Sequence, residues 1–569
     1  MTRRLFTLGR GALAAVALAL LAPLDARAQV AALDRAPAGT PVVIAIPNLE
    51  QFSAAVTDMA RTMGLPEGEL AGLGKLTDIL RTQGLNPKGS AAFVIAPPTE
   101  DEDEPNPVVI VPVSDFGAMV KALGGQAAGI SELKIEDKTV FAKDLSGGFA
   151  ALSADRARLE LFDGKPGNAG HFEKLMGAAG KGAAEGATAY MVMDMQASSD
   201  HLRAGFQGFK MQMEMMAAMG GGNFDAASID EAVDGVLRDG SALVLAGRKG
   251  APGFRFDAAL QFKEGTEYAG KFSSGGNARS LTGTIPNQPF LVAFAIDMSA
   301  PVVRQAFTGI MKATKQDVLA GMDPAQMMEK IQGMSFFMGS PPSMTNGLFL
   351  NTGAFIKSSD PKGYLAMMRD IMGKMSGREI EGITYEASYE ASGAKVGEKP
   401  VDVWTMKMKT DPNNPMAEQV AMMQSVLFGS PTMSGYAAEA PGGVIVTYSK
   451  NSSLLQQMTE AATNQKGMTE QVGARTVAEN LPGERVAEAY LGTKTVIDTV
   501  TPFMGLYDFE TPKDLPPLGF ALTTTGGGLR LTAFAPQAAL ETFGKLQKAA
   551  SGEMDEEKKP EEKTGQPKF

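Results

Sequence analysis

The sequence contains no cysteine and very little histidine or tryptophan. Of its 569 residues, two are His and one is Trp, whereas 35 are Met. A chain without cysteine has no disulfide, no thiolate metal ligand and no thiol nucleophile. A zinc site normally needs three or four ligands from Cys, His and carboxylate, and His171 and His201 are isolated from each other in the sequence. We therefore predict no metal site and no cofactor, and each histidine is predicted to be a surface or helix-start residue.

Basic residues are fewer than acidic ones, with 53 Lys and Arg against 64 Asp and Glu. The formal net charge is −11, which is the wrong sign for following a nucleic-acid backbone. We therefore predict no nucleic-acid partner, and anionic membrane surfaces are disfavoured for the same reason. Beyond residue 28 no stretch approaches the roughly 20 apolar residues that a membrane-spanning helix needs. The sequence thus predicts no membrane span after signal removal.

The N-terminus has the three parts of a secretory signal. Arg3 and Arg4 supply a positive start, residues 11–24 form a short apolar run, and Ala26-Arg27-Ala28 resembles a cleavage site. Residues 1–28 are therefore predicted to be a cleavable signal peptide, and the mature protein to be periplasmic or secreted. The paired arginines also resemble a twin-arginine signal, so the general and the twin-arginine export routes both stay open.

One pattern recurs along the rest of the chain: a short apolar strand, a polar or proline-containing break, and a helix with a period of 3.6 residues. Side chains such as Asn48 and Asp115 occupy the breaks, where they can accept hydrogen bonds from first-turn amides. Between these units lie alternating segments with glycine turns, which are typical of antiparallel hairpins. The predicted strands of both patterns include 41–46, 91–96, 108–113, 189–193, 241–246, 254–262, 290–296, 348–356, 444–448, 486–491, 520–524 and 529–534.

This order of strand, helix and hairpins predicts an α+β fold, with mainly antiparallel sheets covered by helices. Two apolar strands have similar proline-containing leads, at 37–41 and 286–289. We therefore predict two halves, 29–283 and 284–550, related by duplication. The charged segment 551–569 is predicted to be a disordered tail.

The opening of the mature chain, in which an apolar strand ends in Pro47-Asn48-Leu49 and strand–helix–hairpin units follow, resembles a group of large uncharacterised bacterial exported proteins. The resemblance implies export and a repeated α+β architecture. It implies no activity and no site residues.

Motifs for catalysis or phosphate binding are incomplete. Ser359-Asp360-Pro361-Lys362 has the Ser-x-x-Lys spacing of penicillin-recognising enzymes, but its partner Lys563-Thr564-Gly565 lies in the predicted tail. We interpret the first segment as a helix start, with Pro361 in the first turn. The run 177–182 has glycines and a lysine without P-loop spacing. The acidic residues 100–104 lack the ligand pattern of an EF-hand and are predicted to form a solvated loop.

Methionine is the most unusual feature that is present. Five Met occur within residues 211–219, and Met211, Met215 and Met219 share one face of a helix. Thioethers suit Cu(I), yet Met is also a flexible filler of cores and of surfaces that bind apolar partners. We favour ordinary packing, with copper binding and a surface for an apolar partner as alternatives.

The function predicted from these observations is that of a non-catalytic binding or scaffold protein of the cell envelope, with no catalytic residues assigned. Its predicted partners are envelope proteins or a hydrophobic ligand. The alternatives are a periplasmic carrier of a hydrophobic ligand and a hydrolase without a recognisable local motif.

Overall fold

The fold was analysed in a computed structural model. The residues that the structure describes are 30–65, 79–95, 107–135, 138–220, 226–250, 252–313, 328–341, 347–380, 382–411 and 417–551. Three predicted features lie outside them: the signal peptide, the acidic residues 100–104 and the tail beyond Ser551.

The chain forms two compact units. The first comprises the described residues up to Arg61, with Leu65–Gly275 and Leu522–Phe534. The second comprises Thr62–Gly64, Gly276–Ala521 and the described residues from Ala535. The predicted boundary between residues 283 and 284 falls inside a 3-10 helix, Ala278–Thr284.

The first unit alternates strands with short helices. Its strands are β1 (Val42–Ile46), β2 (Ala91–Ile95), β3 (Val108–Pro112), β4 (Ile130–Ile135), β5 (Lys138–Ser146), β6 (Phe149–Ser153), β7 (Ala189–Asp194), β8 (Gly240–Gly250) and β9 (Gly253–Phe262). Its helices are α1 (Leu49–Thr62), α2 (Phe116–Ala122), α3 (Arg156–Leu161), α4 (Ala169–Ala184), α5 (Ser199–Gly220), α6 (Ala226–Asp239) and α7 (Glu267–Lys271).

The strands of the first unit form an antiparallel sheet in the order β4-β5-β6-β3-β2-β1-β7-β8-β9. The hairpin β8–β9 turns between Gly250 and Gly253, as the sequence predicts. Helix α4 packs on β8 and β9. Its Met176 and Ala179 are buried in the same core as Val244 and Ala259.

The second unit also alternates strands with helices. Its strands are β10 (Phe290–Ile296), β11 (Gly333–Gly339), β12 (Thr352–Lys357), β13 (Glu379–Ile380), β14 (Ile383–Val396), β15 (Lys399–Thr410), β16 (Thr432–Ala440), β17 (Gly443–Thr447) and β18 (Ala487–Leu491). Its helices are α8 (Pro301–Ala313), α9 (Pro361–Met375), α10 (Ala417–Phe428), α11 (Ser452–Asn464), α12 (Val472–Asn480), α13 (Thr493–Val500) and, near the end of the chain, α14 (Gln537–Ser551).

The strands of the second unit are also antiparallel, in the order β13-β14-β15-β16-β17-β12-β11-β10-β18. Leu365, Trp404, Ala437 and Val444 form a buried cluster on this sheet. Two later strands, β19 (Leu518–Thr525) and β20 (Gly528–Pro536), form a hairpin whose residues Leu522–Phe534 belong to the first unit, where β20 pairs with β9.

The two units share one scheme of pairing. In the first unit β1 lies between β2 and β7, and β2, β3, β6 and β5 follow outward in that order. In the second unit β10 lies between β11 and β18, and β11, β12, β17 and β16 follow in the same way. This shared order supports the predicted duplication, which stays a prediction.

The predicted α+β class is confirmed. Two of the predicted helix starts are also observed, each with the expected side-chain cap. Asn48 Oδ1 accepts from the Gln51 amide at 2.9 Å, and Asp115 Oδ1 accepts from the Ala118 amide at 2.9 Å. The strand predicted at 348–356 is wrong at its start, because β12 begins only at Thr352 and residues 348–351 form a turn. Across the described ranges, no helix combines the length and apolar content needed to cross a membrane.

Candidate anion-binding site

A pocket of about 720 Å³ lies in the second unit, where four segments of the chain meet. They are the lead into β10, the start of α12, the start of α13 and the segment that precedes β19. The lining residues are Asn287, Gln288, Pro289, Phe290, Gln471, Val472, Gly473, Ala474, Gly492, Thr493, Lys494, Thr495, Lys513, Asp514, Leu515, Pro516 and Pro517. This volume falls within the usual range for small-molecule sites.

Helix α13 points its first turn at this pocket without a side-chain cap. Its N-cap residue is Gly492, whose amide donates to the Leu291 carbonyl at 2.9 Å. A Cβ at residue 492 would collide with the Phe290 carbonyl oxygen, so the turn from β18 into α13 requires glycine. Because glycine has no oxygen-bearing side chain, it cannot cap the first-turn amides of Thr493–Thr495.

Helix α12 also begins at the pocket without a side-chain cap. Its N-cap residue, Gln471, makes no capping hydrogen bond and instead directs Nε2 to the Gln288 carbonyl at 3.4 Å. Gly473 in the first turn lies against Pro516, where a Cβ would be 3.0 Å from the proline Cβ. The pocket therefore receives the N-termini of two helices, and each carries about half a positive charge.

Two buried polar groups of the lining lack a hydrogen-bond partner among the described residues: Thr493 Oγ1 and Gln288 Nε2. Thr493 is fully buried, with a relative exposure of 0%. Leaving such a group unsatisfied costs about 1–3 kcal/mol. Both groups can donate a hydrogen bond, and both belong to residues that line the pocket.

The charged side chains of the lining are Lys494, Lys513 and Asp514. Lys494 also pairs with Asp498, which is not a lining residue. Apolar walls are supplied by Phe290, Val472, Leu515, Pro516 and Pro517. The pocket thus combines donors, positive charge and apolar surface, which suits an organic anion.

A buried ion pair links helix α12 to β18, the strand that leads into α13. Arg485 and Glu488 are 0% and 2% exposed, and Arg485 Nη1 lies 2.7 Å from Glu488 Oε2. Arg485 Nη2 also donates to the carbonyl of Ala478 in α12 at 3.1 Å. Since Glu488 lies in β18, which leads into α13, the pair links the last turn of α12 to the strand that precedes α13.

Burial is the main cause of the shifted pKa values of Glu488 and its neighbour Tyr490. Desolvation raises the pKa of the Glu488 carboxyl, although Arg485 opposes that shift. Desolvation also raises the pKa of the Tyr490 hydroxyl, which therefore stays protonated and donates to Glu488 Oε2 at 3.2 Å.

The residues singled out in the sequence lie elsewhere. Asp360 caps α9 through the Gly363 amide and Pro361 opens the helix, as predicted for the Ser-x-x-Lys segment. His171 and His201 each lie in the first turn of a helix, α4 and α5. Trp404 is buried in the core of the second unit.

The glycine run 177–182 has a packing role. Gly177 adopts a positive φ of 54° at a kink in α4. A Cβ at Gly180 would lie 2.8 Å from Val244 Cγ2, so glycine allows the helix to approach the sheet. Gln261 Oε1 accepts from the Ala179 amide at 3.1 Å and satisfies the backbone beside the kink.

The methionine run lies in α5. Met211 is exposed, and the side chains of residues 213–220 lie outside the described residues. In the part of the chain that the structure describes, no group of three or more His, Asp or Glu side chains is placed to hold a metal ion.

No family model and no curated protein matches this sequence. Two crystal forms of TP0453 are similar in structure, each with a TM-score of 0.22. Their sequence identities are 9% and 11%; each comparison covers 41% of this chain, and 81% and 80% of TP0453 respectively. A TM-score this low carries no argument about fold or function.

Proposed function

We propose that this protein is a non-catalytic binding protein of the cell envelope, and that it holds a small organic anion in the pocket of its second unit. The observation that carries the proposal is the meeting of two helix starts that lack side-chain caps with the buried donors Thr493 Oγ1 and Gln288 Nε2. Anion oxygens accept from backbone amides, hydroxyls and amide groups alike.

Binding fits this lining better than catalysis does. The polar groups of the described lining are mainly hydrogen-bond donors and lysines, which hold an anion directly, and no His, Ser or Cys lies among them. Export to the periplasm or beyond is inferred from the predicted signal peptide alone.

Carriage of a hydrophobic ligand is the second candidate, and the apolar walls at Val472, Leu515 and Pro516 favour it. The two candidates differ in what the donors do. A neutral apolar ligand would leave Thr493 and Gln288 unsatisfied, whereas an anion would not. Ligands with the same alkyl chain and either a charged or a neutral head group therefore separate them.

The test is isothermal titration of the full mature chain with hexanoate and with 1-hexanol. We expect hexanoate to bind with 1:1 stoichiometry and 1-hexanol to bind at least about tenfold more weakly, a difference of about 1.4 kcal/mol. Lys513→Glu should weaken hexanoate binding, and the exposed Lys545→Glu on α14 is the matched control. Stronger binding of 1-hexanol would favour the hydrophobic carrier, and binding of neither would refute both candidates.

Native mass spectrometry of the protein purified from its own envelope without detergent gives an independent readout. A retained carboxylate or phosphate compound would support the proposal. A retained lipid would favour the hydrophobic carrier instead.

A further inference from the structure

The donors of the pocket belong to two different helix starts. One set belongs to the start of α12 and includes the amides of 472–474 with Gln288 Nε2, because Gln288 is hydrogen-bonded to the N-cap Gln471. The other belongs to the start of α13 and includes the amides of 493–495 with Thr493 Oγ1. Each set therefore has its own helix N-terminus and its own buried donor.

The lining is also positive on balance. It carries two lysines, one aspartate and two helix N-termini, each of about half a positive charge. Lys494 is also paired with Asp498 outside the lining, so the charge favours an anion without fixing its number of charges, and the two helix starts carry the argument for two anionic groups. Phe290, Leu515 and the prolines at 516 and 517 supply apolar surface for the part of the ligand between its charges.

We infer that the natural ligand carries two anionic groups joined by a short apolar spacer, one group at each helix start. This inference rests on the proposed function, since it specifies the ligand of the same pocket. Carboxylate and phosphate groups share the required chemistry, because both accept several hydrogen bonds at once.

The first experiment compares matched pairs of ligands by isothermal titration with the full mature chain. Adipate, pimelate and suberate each have a monocarboxylate of the same length: hexanoate, heptanoate and octanoate. We expect at least one dicarboxylate to bind ten- to a hundredfold more tightly than its partner, about the value of one further charge-assisted set of hydrogen bonds. Hexane-1,6-diyl bisphosphate and hexyl phosphate form the corresponding pair for a phosphate ligand, with two phosphate groups or one on the same apolar spacer.

Variants at each set of donors test whether both are used. Gln288→Leu and Thr493→Val should each bring the affinity for the best dianion down by about tenfold, toward that of the monoanion. The matched controls are Gln537→Leu at the exposed start of α14 and Thr499→Val in α13, whose hydroxyl donates within its own helix. Both controls should bind like the unmodified protein.

The outcomes separate this inference from the proposed function. If monoanions bind as tightly as dianions of the same length, the two-anion ligand is wrong and the anion pocket stands. If neither monoanions nor dianions bind, the proposed function fails with it. If only one of the two variants weakens dianion binding, the ligand uses a single set of donors and the inference is overturned.

Discussion

Gly492 lies so close to the carbonyl oxygen of Phe290 that no side chain fits between them. This contact makes β18 turn into α13 directly beside the lead into β10. It also removes any capping side chain from the N-terminus of α13, so no N-cap side chain bonds the first-turn amides. A single packing requirement thus shapes the backbone and leaves donors available at the pocket.

Gly492→Ala should destabilise the second unit by about 3 kcal/mol, because the added methyl group must displace backbone rather than a flexible side chain. Urea unfolding followed by the fluorescence of Trp404, the single tryptophan of the chain, reports on this unit. Gly483→Ala is the matched control, since a Cβ there meets nothing within 4 Å. The control should change stability by no more than about 0.5 kcal/mol. Equal midpoints for the two variants would contradict the close contact.

Thr493→Val should stabilise the ligand-free protein by about 1 kcal/mol while it weakens anion binding. The hydroxyl is fully buried and has no hydrogen-bond partner among the described residues, so replacing it with a methyl group of the same shape removes a desolvation cost. Thermal unfolding without ligand, compared with Thr499→Val, measures the effect. A loss of stability would show that the Thr493 hydroxyl has a structural role instead.

Arg485→Met should cost about 3–5 kcal/mol at pH 8, because it leaves Glu488 buried without its cation. The double variant Arg485→Met/Glu488→Leu should recover much of that loss. Burial raises the pKa of Glu488 in the folded state. When the folded-state pKa of a carboxyl is raised, the folded protein becomes less stable as pH rises through that pKa. The single variant should therefore lose less stability at pH 5 than at pH 8. Unfolding midpoints at both pH values test this, and a pH-independent loss would show that Glu488 is not the cause.

The local parts of the fold could be predicted from the sequence. Asn48, Asp115 and Asp360 precede helices, and each caps its helix as its side-chain chemistry requires. The β8–β9 hairpin follows from alternation and from the glycines at its turn. These features depend on neighbours a few residues apart, which periodicity and capping rules describe.

The pocket could not be predicted in the same way. Its lining comes from residues between 287 and 517, and they meet only because β10 pairs with β18. Gly492 and Gln288 carry no local signal, since glycine and glutamine occur in many turns. Thr493 lies between an apolar strand and a helix, a position typical of a capping residue. In the structure Gly492 is the N-cap residue instead, and the threonine hydroxyl has no partner among the described residues.

Asp360 should make the stability of the second unit depend on pH through its charge. Its Oδ1 accepts from the Gly363 amide at 2.9 Å and its Oδ2 lies 3.1 Å from Lys330 Nζ, and these two contacts lower the pKa of the carboxyl. A carboxyl with a lowered folded-state pKa stabilises the fold above its unfolded-state value, near 3.8, and that contribution is lost as pH falls through the folded-state pKa.

Asp360→Asn isolates the charge, since asparagine caps helices about as well as aspartate. The variant should therefore be less stable than the unmodified protein at pH 7, and the difference should shrink as pH falls below about 5 and the aspartate becomes protonated. Asp360→Ala removes the acceptor as well and should be the less stable of the two variants at pH 7. The measurement is again urea unfolding followed by Trp404. A difference between Asp360→Asn and the unmodified protein that stays constant with pH would mean that the carboxylate acts only as a neutral cap.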